Sequence, residues 1–131
     1  MNYYAQGGQV MSASQIILND QFSQEDGAEG IIQGLSKLVD TKDAVLLQKN
    51  NTVLAVIKLA PGVVEVHLYT VDAPLPLAAA VRYFYDKLVE SDIDKVYGTS
   101  PRTPQIIELM KAVGIKVLPS DNPEYSWMAN V

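Results

Sequence analysis

Between Ala44 and Val71 three apolar segments follow one another across two short turn signals, and this stretch limits the possible folds more than any other. Ala44 to Gln48 leads into Lys49-Asn50-Asn51-Thr52, whose two asparagines suit a turn that visits positive φ. Val53 to Ala60 is apolar almost throughout, which suits a central strand. Pro61-Gly62 fits the middle of a type II turn, proline setting φ and glycine taking φ > 0. Val63 to Val71 completes an antiparallel meander.

The flanks add helices and shorter strands. Gln15 to Asn19 reads as a strand, with Ile16 and Leu18 on one face and Ile17 on the other. Ser23 then reads as the N-cap of a helix, with Glu25 and Asp26 in its first turn. Ile31, Ile32, Leu35, Leu38 and Val39 recur at helical spacing. After the meander, Leu77, Val81, Phe84 and Leu88 mark one face of a helix over Pro74 to Ser91. Lys95 to Thr99 is a short strand. Thr103 and Pro104 open a further helix, with Ile106, Ile107, Leu109, Met110 and Val113 on its apolar face. Gly114 stands where that helix needs a left-handed residue to end. Ile115 to Leu118 and Tyr125 to Asn130 are the last strands expected.

The expected order is therefore β-α-β-β-β-α-β-α-β-β. It predicts an α/β fold on a mixed, mostly antiparallel sheet flanked by helices. Residues 1–14, polar and aperiodic, read as a flexible arm, and residues 15–131 as one domain.

Composition removes whole classes of chemistry. The chain has no cysteine, which excludes disulfides, thiolate metal sites and cysteine catalysis. His67 is its only histidine, so a multi-histidine metal centre is excluded too. The net charge is -5 and the ten Lys/Arg residues are scattered, so no nucleic-acid surface is expected. No apolar run is long enough to span a bilayer, and no export signal is legible.

The element order over residues 15–131 resembles the GNAT N-acetyltransferase fold. The closest local match runs from Thr103 through Met110-Lys111-Ala112-Val113-Gly114-Ile115, similar to the family's closing helix and the strand after it. The resemblance implies an acyl-CoA donor whose diphosphate rests on a glycine-rich loop after the fourth strand. Here that stretch runs from Val71 to Ala80 without a glycine. Pro74 and Pro76 each delete an N–H, and Asp72 adds a negative charge. In an active member, Leu75, Leu77, Ala78 and Ala79 would be the cofactor-binding residues. The resemblance also implies a tyrosine general acid, but Met110 occupies its position. Glu65 or His67, on one strand face with Val63 and Tyr69, would be the catalytic base.

The aromatic fourth strand, the glycine-free loop and Arg82-Tyr83-Phe84 also resemble small podovirus virion proteins with a GNAT-like fold. That likeness implies a non-catalytic structural component of a bacteriophage virion, made in the host cytoplasm, with no cofactor. Its partners would be other virion proteins, with no nucleic acid or membrane, docked through Tyr3, Tyr4, Val10 and Met11 of the arm. The alternative expectation is an acetyl-CoA-dependent N-acetyltransferase with an atypical cofactor loop. Tyr83, Phe84 and Tyr85 read as packing residues, and Tyr125, Trp127 and Met128 as core or interface.

Overall fold

The segment Ile16-Ile17-Leu18 is short and apolar, a pattern that serves a strand or a buried helix equally well. The computed structural model, which describes residues 11–20, 27–99 and 104–131, settles it as helix. Helix α1 runs Ala13–Asn19, so the strand expected over Gln15 to Asn19 is corrected. The physical reason is a capping box. Ser12 Oγ accepts from the Gln15 N–H at 3.2 Å, and Gln15 Oε1 accepts from the Ser12 N–H at 3.1 Å. Ser12→Ala removes one half of this box. Chemical denaturation should show a loss of about 1 kcal/mol.

Met11 is tied to the domain as well. Its N–H donates to Asn51 Oδ1 at 2.9 Å, and its carbonyl accepts from Gln48 Nε2 at 2.6 Å. Met11 was expected to serve a partner, whereas here it staples the chain to its own β-turn. Tyr3, Tyr4 and Val10 lie outside the described residues, as do the Ser23 and Thr103 caps with Glu25 and Asp26.

Helix α2 spans Ala28–Asp40. Strands β1 (Ala44–Lys49), β2 (Thr52–Ala60) and β3 (Val63–Thr70) then form the expected meander. Its turns follow the residue chemistry: Asn50 takes φ 54° and Gly62 φ 74°. The Gly62 carbonyl also accepts from the N–H groups of Asp94 and Lys95, which fastens this turn to the start of the next strand.

Helix α3 (Pro74–Glu90) crosses over to strand β4 (Lys95–Gly98), which lies parallel to β3. Helix α4 (Pro104–Ala112) leads to β5 (Leu118–Pro119) and β6 (Trp127–Asn130). Among the described residues the sheet order is β1-β2-β3-β4-β6-β5, with β3–β4 its one parallel pair. The last strands are shorter than expected because Ile115 is buried in the helical layer and Tyr125 leaves the ladder.

Each face of the sheet buries a different layer. Under α3 lie Leu54, Val56, Val64 and Val96 with Ala80, Phe84 and Leu88. Tyr83 meets Phe84 edge-on, with ring centroids 5.9 Å apart. On the opposite face Ala55 packs against Ile17, Ala28 and Leu35. A third group, Val81, Met110, Ile115 and Ala129, joins α4 to α3. Met110 is thus a core residue.

Candidate functional site

Strands β3 and β4 pair only from Val63–Lys95 to Val66–Gly98. Beyond that point β3 continues to Thr70 with β2 as its one strand neighbour among the described residues, and on the other side the Thr70 N–H donates to Asp20 Oδ2 at 2.9 Å. His67 is the first residue past the end of the parallel ladder.

Residues two apart on a strand share a face, so Glu65 and His67 sit side by side there. His67 Nε2 lies 2.7 Å from Glu65 Oε2. The other carboxylate oxygen, Oε1, accepts from the Tyr125 hydroxyl at 2.8 Å. An ionised carboxylate only accepts, so Nε2 carries the hydrogen in this pair. Among the described residues Nδ1 has no partner. Glu65 and His67, both half-exposed, therefore form a dyad with one imidazole nitrogen open.

A second polar chain backs the first. Tyr97 stands opposite Glu65 in the parallel ladder and stacks on Tyr125, with ring centroids 5.0 Å apart and planes 24° from parallel. The Tyr97 hydroxyl donates to Asp121, whose other oxygen takes the Lys95 ammonium at 3.0 Å. The Lys95 ammonium also lies 5.7 Å from the Tyr97 ring centroid.

The titrations of this group follow from its bonds. The Tyr97 hydroxyl, and then Lys95, hold the Asp121 carboxyl below its ordinary range. The same contacts with Asp121 push Lys95 and Tyr97 up. Tyr125 is pushed up to about 12, first by burial and then by its bond to Glu65.

For stability the sign follows from that upward shift. The Tyr125 contribution is whole below the tyrosine pKa of the unfolded chain, about 10. It is lost as pH rises through about 12. A near-ultraviolet tyrosinate titration should lose one late-titrating tyrosine in Tyr125→Phe relative to the parent, while the raised Tyr97 hydroxyl remains in both. A Tyr125 step at the ordinary tyrosine value would show that the bond to Glu65 is absent.

The residues expected at a cofactor loop are placed differently. Leu75 lies in the first turn of α3 and is 85% exposed. Leu77 packs toward the third apolar group, and its N–H is spent on the Ala73 carbonyl at 3.0 Å. Ala78 and Ala79 lie farther into the helix, where N–H groups bond within it. Asp72 does not face an open mouth. Its Oδ2 accepts from the Asn51 N–H at 2.9 Å and from Thr52 Oγ1 at 2.7 Å, closing the β1–β2 turn.

Sequence reasoning thus found the Glu65–His67 pair and missed Tyr97, Asp121 and Tyr125. Glu65 and His67 are two residues apart on one strand. The others come from distant parts of the chain: the β3–β4 register sets Tyr97 opposite Glu65, and Asp121 and Tyr125 come from the segment between β5 and β6.

Comparison with solved structures agrees with this architecture. A spermidine N-acetyltransferase chimera of Vibrio cholerae SpeG and hSSAT superposes with a TM-score of 0.52 at 9% identity, over 79% of this chain and 74% of that one. A Bacillus subtilis acetyltransferase in complex with CoA gives 0.51 at 9% identity, over 94% and 92%. At such identities the likeness establishes the fold alone: a mixed α/β sheet of the GNAT acyl-CoA N-acyltransferase kind. No family model and no curated protein sequence matches the chain.

Proposed function

We propose that this chain transfers an acyl group from a thioester to an amine, with His67 as the base. The observation that carries this reading is the run Tyr125–Glu65–His67, which ends in an open imidazole nitrogen just past the end of the β3–β4 ladder. The acetyltransferase fold of the solved neighbours supports it as well. The expected virion role draws no support from the fold or the site, so the acyltransferase alternative is carried forward in its place.

The reaction is one substitution at the thioester carbonyl carbon. The amine nitrogen attacks, the C–N bond forms and the C–S bond breaks. His67 Nδ1 takes the proton the nitrogen sheds, and the departing thiolate takes a proton from water. Glu65 fixes the ring so that Nδ1 faces outward, and it balances the imidazolium that forms. Tyr125 keeps Glu65 Oε1 occupied, so that Oε2 is left for His67. Glu65 and Tyr125 are positioning residues in this scheme.

Incubation with an acetyl thioester and a panel of primary amines, following free thiol, tests the proposal. Amine-dependent thiol release that needs His67 supports it. No release above the rate without protein, across the panel, overturns it.

A further inference from the structure

Between β5 and β6 the segment from Ser120 to Tyr125 is knit to itself. The Ser120 hydroxyl donates to the Asn122 carbonyl at 2.8 Å and accepts from the Asn122 N–H at 3.0 Å. Asn122 Oδ1 takes the Glu124 N–H at 2.9 Å, and the Asn122 carbonyl takes the Tyr125 N–H at 3.0 Å. Serine and asparagine side chains that bond nearby main chain close turns in this way. Asp121 and Tyr125 therefore move together.

This piece meets the sheet at both ends. After Tyr125, the Ser126 N–H donates to the Gly98 carbonyl at 3.0 Å, which fixes the main chain there but not the Tyr125 ring. At the other end Asp121 bridges two residues of β4, the Lys95 ammonium and the Tyr97 hydroxyl. Lys95 and Tyr97 stand two apart on one strand and share a face, so one carboxylate reaches both. Bonds to an ionised carboxylate are stronger than neutral ones. The Tyr97 ring is also the surface on which Tyr125 stacks. Asp121 thus grips one ring of the stack directly and the other through the loop that carries it.

Tyr125 spends its hydroxyl on Glu65 Oε1, and Glu65 spends Oε2 on His67. A shift of the Tyr125 ring by about an ångström would carry its hydroxyl out of hydrogen-bond range of Glu65. What holds that ring therefore sets the orientation of the imidazole.

We infer that Asp121 is a positioning residue for His67, acting through the Tyr97–Tyr125 stack and the Tyr125–Glu65 bond. Its effect on rate rests on the acyl-transfer reading above; its effect on the imidazole does not.

Nitrogen NMR of the His67 ring and the kinetics of thiol release, both on the full chain, test the inference. Asp121→Ala should move the ring signals toward those of Glu65→Gln. It should also lower kcat by about 10- to 10²-fold, the cost of a small misplacement, with little change in KM. Asp121 is exposed, so the fold should survive its loss. Tyr97→Phe keeps the stacked ring and loses only the hydroxyl, and it should move the signals the same way by less. In a Tyr125→Phe background, Asp121→Ala should have no further effect, because the hydroxyl it positions is gone. Unmoved ring signals in Asp121→Ala, or equal changes with and without the Tyr125 hydroxyl, would overturn the inference. The two readings fail separately. Coupled ring signals without amine-dependent thiol release sink only the activity, and release that needs His67 while the ring ignores Asp121 sinks only the inference.

Discussion

Gly98→Ala destabilises the domain by about 3 kcal/mol or more, a large effect for one methyl group. A Cβ at Gly98 would lie 2.1 Å from Trp127 Cε2 and 2.3 Å from Nε1, inside any permitted contact. These atoms belong to a ring, not to the tip of a flexible side chain. The indole rests on Gly98 because the two residues pair directly across β4 and β6. It reaches from there into the apolar layer under α3 and the group shared with α4. Trp127 is partly buried, so its displacement forfeits part of the roughly 3–5 kcal/mol that truncating a fully buried tryptophan costs.

Chemical denaturation gives the size of the effect, and Trp127 fluorescence gives its cause. Trp127 is the chain's one tryptophan, so a shift to longer wavelength in Gly98→Ala reports its displacement without ambiguity. A double-mutant cycle isolates the clash. In a Trp127→Ala background the same Gly98→Ala change should cost far less. Equal costs in both backgrounds would mean that the indole is not what excludes the methyl group. The position matters for function because Gly98 is the last β4 residue paired to β3, and His67 follows directly beyond its partner Val66.

His67→Gln lowers kcat for amine-dependent thiol release by about 10²- to 10⁴-fold, the range set by losing a positioned base. Glutamine keeps an N–H for Glu65 Oε2 and has a similar reach, so the fold and the Tyr125–Glu65 bond should persist. It has no nitrogen able to take a proton at neutral pH. The loss should therefore fall on kcat with little change in KM. Glu65→Gln should lower kcat less, because the imidazole remains and only its orientation and charge balance are impaired. A His67→Gln protein with parental kcat would remove the base from the mechanism.

The meander was legible because its turns are written in residues with few other uses. Pro61-Gly62 and Asn50 took the backbone conformations their chemistry favours. The helix over Pro74 to Glu90 was legible from its buried stripe of Val81, Phe84 and Leu88. Helix α1 was misread because three apolar residues in a row carry no period. Its deciding signal was the Ser12-to-Gln15 capping box just before them.

Within the site, Glu65 and His67 were legible from the two-residue spacing of a strand. Tyr125 was not, since it follows a loop and its hydroxyl reaches Glu65 from 60 residues away in sequence. Asp72 was placed correctly in sequence but not in role. Its oxygen closes a turn contributed by another hairpin, and no local pattern encodes that contact.

The arrangement at the single imidazole is open to direct observation. Nitrogen NMR of the folded protein above the histidine titration yields one pair of ring signals, because His67 is the only histidine. The Nε2–H tautomer should dominate, with that hydrogen held by Glu65 and Nδ1 unprotonated, and Glu65→Gln should weaken the bias. Dominance of Nδ1–H, or a signal pair indifferent to Glu65, would contradict a carboxylate-oriented base at the end of the β3–β4 ladder.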